Sequence, residues 1–266
     1  MFLRIYRYIF CRPFFYRFNL HLYKLSLRGI GVLNSEGPAI TGEKWLLERL
    51  HLTAKISTIV DVGANTEAYG VDIFPKATIY AFEPHPHTFS LLTKNTRLSG
   101  HKKVHLINAG LSNRKGVMNL WDFADDAALK ATQPTSTLAS FDRSVIERLH
   151  GQKAQSIKVK VDTIDSFATQ NKITQIDLLK IDTEGHEFQV LLGAKRLLKQ
   201  RKIGIVQFEF NEMNVYSRTY LKDFMDMMPD HTFYRLMPTG MFPLTDYRPI
   251  THEVFGFQNI VALPKQ

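Results

Sequence analysis

Ser57-Thr58-Ile59-Val60-Asp61-Val62-Gly63-Ala64-Asn65-Thr66-Glu67 is the stretch that decides how the rest of the 266-residue chain reads. Residues 57–62 are apolar and β-branched, and the run is short, so it predicts a buried strand that opens at Asp61-Val62-Gly63 into a loop. A second run, Thr78–Phe82, ends at Glu83-Pro84, and a helical pattern over Pro86–Leu98 follows it. Further core strands are predicted at Val104–Ala109, Ile176–Ile181 and Ile203–Phe208, with closing strands at Phe233–Met237 and Phe257–Leu263. Helices are predicted over Ile164–Thr169, Glu187–Gln200 and 218–228. Strands alternating with helices imply an α/β fold, a mostly parallel seven-stranded sheet with helices on both faces. Val117–Trp121 and Ile157–Val161 read as short extra strands, and 122–155, of weak periodicity, as an insertion over one face.

Upstream, residues 2–28 read as basic, aromatic helical pieces broken near Pro13, and 43–52 as an amphipathic helix with Trp45, Leu46 and Leu50 on its apolar side. The expected organisation is an N-terminal helical segment, 1–52, and one α/β domain, 53–266. The net charge is +9, and most of it comes from Arg4, Arg7, Arg12, Arg17, Lys24 and Arg28, since the first acid is Glu36. A basic, aromatic segment suits peripheral contact with an anionic membrane surface. The competing reading is a lid packed on the domain or on a second subunit of a homo-oligomer. No nucleic-acid motif accompanies the charge, so nucleic acid is not an expected partner. The arginines interrupt the apolar stretch 2–18, which therefore reads as neither a membrane span nor a signal peptide. Cys11 is the only cysteine, so no intrachain disulfide forms, and a cytoplasmic location is expected. With 44% hydrophobic and 22% charged residues, wholesale disorder is excluded.

In an open parallel sheet, ligands bind beyond the C-terminal ends of the strands. Asp61 should lie at the ligand's edge and accept from an ammonium group or a bridging water. Gly63 should let the ligand approach the backbone. Glu83, at the end of the second strand, is placed to accept ribose hydroxyls. A dinucleotide would need G-x-G-x-x-G around its pyrophosphate, but Gly63 is followed by Ala64, Asn65, Thr66, Glu67 and Ala68. S-adenosylmethionine has no phosphate and carries a positive sulfonium, so an acidic, glycine-poor loop suits it better. A nicotinamide-dependent oxidoreductase is the alternative.

Five ordered blocks carry a more specific signal. They are Asp-Val-Gly-Ala-Asn (61–65), Ala-Phe-Glu-Pro (81–84), Asn-Ala-Gly-Leu-Ser (108–112), Val-Asp-Thr-Ile-Asp (161–165) and Leu-Leu-Lys-Ile-Asp-Thr-Glu-Gly-His-Glu (178–187), followed by Val-Gln-Phe-Glu (206–209). In these blocks the chain resembles the FkbM-like methyltransferases over roughly residues 20–215. The resemblance implies a Rossmann-like class I methyltransferase fold and O-methylation, often of sugar hydroxyls in glycans or secondary metabolites. It places Asp61, Gly63, Asn65, Glu83, Pro84, Asn108 and Gly110 around S-adenosylmethionine. Glu67 stands where the family usually has glycine. A side chain there would narrow the methionine pocket or add a contact to the amino group, and it favours a third reading, a non-catalytic cofactor-binding protein that keeps the fold.

A second charged cluster holds Lys180, Asp182, Glu184, His186 and Glu187. Strand alternation puts Lys180 and Asp182 on one face, with Asp182 at the strand's end. Methyl transfer to a hydroxyl is an in-line displacement that needs alignment and a proton acceptor. Asp182 is the preferred base or substrate anchor, Lys180 could stabilise a developing alkoxide, and Glu184 and His186 complete the catalytic candidates. Asp182, Glu209 and Asn211, or Glu212, could offer oxygens to a hard divalent cation. His85 and His87 read as exposed loop histidines rather than metal ligands, and Met225, Met227 and Met228 as core or cover. The acceptor is a small molecule or glycan, with 122–155 and 238–256 expected to shape its pocket.

Overall fold

A computed structural model, which describes residues 2–124 and 138–265, gathers the strands into two sheets. They are β1 (Thr58–Val62), β2 (Thr78–Phe82), β3 (Val104–Ile107), β4 (Gly110–Leu111), β5 (Gly116–Phe123), β6 (Ala154–Asp162), β7 (Ile176–Ile181), β8 (Ile203–Phe210), β9 (His231–Met237), β10 (Gly240–Pro243) and β11 (Gln258–Pro264). The large sheet runs β10-β9-β11-β8-β7-β1-β2-β3. Strands β3, β2, β1, β7 and β8 are parallel, and β11 is antiparallel to both β8 and β9. This is the expected Rossmann-like arrangement with one strand more. β10 folds back on β9 as an edge hairpin, four residues after the turn at Pro238-Thr239, too short for a period-two pattern to register.

The chain winds outward from β1 to β3, then crosses to β7 and winds the other way. The switch point therefore lies between β1 and β7, which is where a doubly wound sheet opens a crevice for a ligand. The extra strands predicted near 117 and 157 are β5 and β6. With β4 they form a separate small sheet in the order β4-β6-β5. Within the expected insertion, 125–137 lie outside the described residues. Around them, the Trp121 N–H donates to the Ser140 carbonyl, and the turn of helix Val145–Leu149 buries Val145 and Ile146.

One expected long helix is broken, and another has an unexpected neighbour. The one predicted over 187–200 is two, Glu187–Leu192 and Lys195–Lys199. At Gly193 a Cβ would lie 2.1 Å from the Ser112 carbonyl oxygen, so a segment distant in sequence fills the place of a side chain. Asp165 then caps the second helix, accepting from the backbone N–H groups of Arg196 (2.8 Å) and Leu197 (3.0 Å). The helix predicted at 218–228 forms as Leu221–Met227, and a separate short helix, Met213–Ser217, precedes it.

The sheet separates two apolar layers. On one face, Leu46, Leu47 and Leu50 of helix Glu43–Thr53 cover Ile59, Leu178 and Val261. Alternation sends Val60, Leu179 and Val206 to the other face, against Ile164, Val190 and Leu197. Outside this frame, helices Phe2–Phe10 and Tyr16–Gly29 meet at the short turn Pro13–Phe15. The first buries none of its residues, and the second buries Leu27 alone. Tyr6, Phe10, Phe15 and Phe18 pack their rings on one another instead. Among the described residues no helix is long and apolar enough to cross a membrane.

Candidate active site

At the switch point a cleft is lined by Gly63, Asn65, Glu83, Pro84, Leu120, Ala139, Phe141, Asp182, Thr183 and Glu184. The ends of β1, β2 and β7 supply its floor, and the small sheet with the 139–141 segment supplies a wall. Glu83 is the central acid. Its carboxylate accepts from the Asn65 N–H (3.1 Å) and the His85 N–H (2.8 Å), and burial pushes its pKa up to about 7. Asn65 takes a left-handed backbone, φ 53°, and its buried Oδ1 has no donor among the described residues. Asn108 does not line the cleft. Its amide donates to the Glu83 carbonyl (2.9 Å) and the Pro84 carbonyl (3.2 Å), bracing the turn that presents Glu83. Gly110 also acts from behind, because a Cβ there would lie 2.7 Å from the Phe141 ring that forms the wall.

The packing adds to one expectation about the first turn and corrects two others. Gly63 (φ +82°) lines the cleft as expected, and its packing gives a second reason for glycine. A Cβ at this position would sit 1.7 Å from the Asp182 carbonyl oxygen, so the chain just past β7 already occupies that space. Asp61 is fully buried and lies beneath the cleft rather than on its edge. Its Oδ2 accepts from the Tyr69 N–H (2.8 Å), its Oδ1 has no partner among the described residues, and burial pushes its pKa up to about 6 against the pull of Lys180. Glu67 is exposed and lines a different cleft, with Pro38, Lys44 and Asp72, so it does not narrow the space around Glu83.

Asp61, Lys180 and Gln207 form one row across β1, β7 and β8. They face helix Glu43–Thr53, whose Glu43 accepts from the Gln207 amide (3.0 Å). Gln207 in turn accepts from the Tyr69 hydroxyl, and the Lys180 ammonium sits 5.2 Å from the Tyr69 ring centre. Burial opposes the charge on Lys180, but Asp182, Asp61 and Glu43 together push its pKa well up. Tyr69, Gln207 and Glu43 were not expected here. The signal available for Gln207 was its two-residue spacing from Glu209 in an otherwise apolar strand.

Asp182 joins this buried row to the cleft and lines both openings. Burial works against its charge, yet the Lys180 ammonium at 3.0 Å and a hydrogen bond from Glu209 hold its pKa below the ordinary value. Glu209 is the reverse case. Burial, then the charges of Asp182 and Glu184, push its pKa well up. The two carboxyls are therefore an unequal pair, with the proton on Glu209 and the charge on Asp182. Glu184, left-handed at φ 54°, lines the cleft, and burial followed by the charges of Asp182 and Glu187 pushes its pKa well up. Glu187 closes the turn behind it, accepting from the N–H groups of Thr183 (2.9 Å) and Gly185 (3.1 Å).

His186 does not reach the cleft. Its Nε2 lies 2.9 Å from the Ser112 hydroxyl, its ring packs 4.7 Å from Phe141, and burial lowers its pKa to about 4. It is neutral near pH 7 and holds the wall. Asp182, Glu209 and Asn211, the first candidates for a cation, spend their oxygens within the protein. The Asn211 amide donates to Glu209 (2.6 Å), and its oxygen accepts from the Met213 N–H (2.8 Å). Among the described residues no three His, Cys, Asp or Glu side chains converge as a metal site. His87 is exposed as expected, but His85 is not. It caps helix Pro86–Ser99 through Nδ1, and its Nε2 lies 3.4 Å from Asp122 of β5.

The cleft thus offers hydrogen-bond acceptors on Glu83, Asn65 and Asp182, and none of its described lining residues is Lys or Arg. That chemistry fits a ligand rich in donors and positive charge, which S-adenosylmethionine is, and opposes a pyrophosphate.

Comparison with known proteins agrees with this cofactor class. Residues 61–235 match the family model described as the methyltransferase FkbM domain. Methyltransferase 1 of Beauveria bassiana is 29% identical over 144 residues, covering 52% of this chain and 58% of its own length. The hexuronic acid methyltransferase AglP of Haloferax volcanii is 26% identical over 147 residues, covering 55% and 54%. The 2-O-methyltransferase NoeI of Sinorhizobium fredii is 21% identical over 187 residues, covering 69% and 75%. The chain spans little more than half the length of the first two.

Proposed function

The chain belongs to the FkbM methyltransferase family, and on that premise we propose that it transfers a methyl group from S-adenosylmethionine to a hydroxyl of a sugar. The observation that carries this reading is the meeting, in one cleft, of Glu83 just after β2 with Asp182 just after β7, whose charge is supported from behind the cleft by Lys180 and the protonated Glu209 of β8. S-adenosylmethionine, when bound, supplies a methyl carbon on a positive sulfur that leaves as a neutral thioether. Glu83 would accept the ribose hydroxyls, with Asn65 beside it. Asp182, ionised and exposed to the cleft, would take the proton of the attacking hydroxyl, while Lys180 limits the rise of negative charge. Two of the relatives are, by name, a hexuronic acid methyltransferase and a 2-O-methyltransferase, which supports a sugar hydroxyl as acceptor.

Calorimetry tests the cofactor half. S-adenosylhomocysteine should bind and NAD should not. Glu83, with a pKa of about 7, changes from about nine-tenths ionised at pH 8 to about one-tenth at pH 6. Ligand hydroxyls bond best to the charged form, so affinity should fall about tenfold between those pH values. Glu83→Ala should weaken binding by about 1–3 kcal/mol and flatten the profile. Binding of NAD alone, or an affinity indifferent to both pH and Glu83, would refute the assignment.

The N-terminal helices are read as a membrane-surface contact. Phe2, Leu3, Tyr8 and Phe14 are largely exposed, and no acid interrupts the first 35 residues. Each basic side chain near an anionic surface contributes about 1 kcal/mol, so reversing Arg4, Arg7 and Arg12 to Glu should cut vesicle association by ~100-fold or more. Flotation with phosphatidylglycerol vesicles measures this. An unchanged yield would favour a protein partner for these helices.

A further inference from the structure

An apolar groove open to solvent lies away from the cleft, between helix Tyr16–Gly29 and the β9–β10 hairpin. It has a volume of about 780 Å³ and is walled by Leu27, Ile30, Phe242, Leu244, Ile250 and Val254. That volume falls within the range of small-molecule sites, about 300–1,000 Å³. β9 is separated from β7 by β11 and β8, so this space is distinct from the one that holds Asp182 and Glu83.

One wall carries a charge. Arg235, on β9, is only 4% exposed. Its Nε donates to Gln258 (2.7 Å) and its Nη2 to the Thr251 carbonyl (3.3 Å). Among the described residues no carboxylate comes within ion-pair distance of it. Asp246 and Arg248 also line the groove, but both are exposed at its rim. Burial alone lowers the Arg235 pKa, with no acid to offset it. His252 lines the same groove at 5% exposure, and its buried Nε2 has no hydrogen-bond partner among the described residues. Buried arginines are ordinarily paired, and leaving such a charge without an anion is costly.

We propose that this groove binds an amphiphilic anion, a single alkyl or prenyl chain ending in a carboxylate or phosphate, whose head group is held by Arg235. A neutral hydrocarbon would leave the guanidinium uncompensated. A small anion without a tail would leave the apolar walls wet. An amphiphile satisfies both, and the basic helix at the groove's side favours approach of the negative head. The inference does not rest on the methyl-transfer reading.

Titration calorimetry of the full chain with dodecyl phosphate and with dodecanoate, each below its micelle concentration, tests it, with dodecanol as the neutral control. Both anions should saturate one site and bind at least tenfold more tightly than dodecanol. Arg235→Gln should lose tenfold or more of that affinity. Ser26→Trp, on the exposed helix face that lines the groove, fills the space without touching the buried charge and should abolish binding while thermal melting stays unchanged. Competition by phosphatidylglycerol vesicles would identify a bilayer lipid as the source of the chain. Binding indifferent to such vesicles would identify a free amphiphile. No saturable binding, equal binding of dodecanol, or wild-type affinity in both variants overturns the proposal.

Discussion

Gly63→Ala should destabilise the protein by about 3 kcal/mol or more, the largest loss expected from any methyl-sized change in the site. The added carbon would fall 1.7 Å from the Asp182 carbonyl oxygen, and its backbone at φ +82° already disfavours a side chain. Neither strain relaxes by rotating a side chain. The oxygen belongs to the chain just past β7, which is tied to β1 by the Asp182 N–H donating to the Val62 carbonyl at 2.9 Å. On the other side, the N–H groups of Gly63 and Ala64 both donate to the Phe82 carbonyl. To admit the methyl group, β1 must part from β7 or β2, and either movement displaces Glu83 or Asp182. Urea unfolding measures the loss, and S-adenosylhomocysteine affinity should fall with it. A loss under about 1 kcal/mol would mean that the strand ends separate without resistance.

Asp182→Asn should lower kcat by about 100-fold or more while leaving S-adenosylhomocysteine affinity within about threefold. The substitution keeps the shape of the side chain and removes the carboxylate that Lys180 keeps ionised. It also leaves one acceptor oxygen where Lys180 and Glu209 both donate. Lys180→Met provides the converse. Without the ammonium, Asp182 loses its main support against burial, its pKa rises, and the acid limb of the kcat profile should move to higher pH. A kcat loss below tenfold in Asp182→Asn would assign the proton to another group. Parallel losses in kcat and cofactor affinity would make Asp182 a structural residue only.

Strand identity was legible because β-branched runs between turn signals have few other ways to fold. β7 matches its expected limits, Ile176–Ile181, residue for residue, and β1 differs by one. Helix continuity was less legible, since the break at Gly193 depends on where Ser112 comes to rest, about eighty positions earlier in the chain. The site shows the same division. The position of Asp182 at a strand end and the shared face of Lys180 follow from alternation. What covers that face does not, and this is why Glu43 and Tyr69 went unseen and Asp61 was expected at the ligand rather than beneath it. His186 followed the local pattern of a turn but was drawn toward Phe141, a contact that no local pattern encodes.

The small sheet has a consequence for how such a protein changes its repertoire. After β3 the chain leaves the large sheet, builds β4, β5 and β6, and rejoins the frame only at β7. Leu120, Ala139 and Phe141 of the cleft wall all belong to that one excursion, whereas Gly63, Asn65, Glu83 and Asp182 belong to the frame. On the proposed reading, mutations that refit the wall to a new acceptor fall within a single contiguous segment, tied to the turns that present Glu83 and Asp182 through Asp122 with His85 and Ser140 with Glu184. On that reading substrate choice and chemistry are inherited as partly separate traits, and exchanging the whole excursion between relatives should transplant acceptor preference where those two ties are kept.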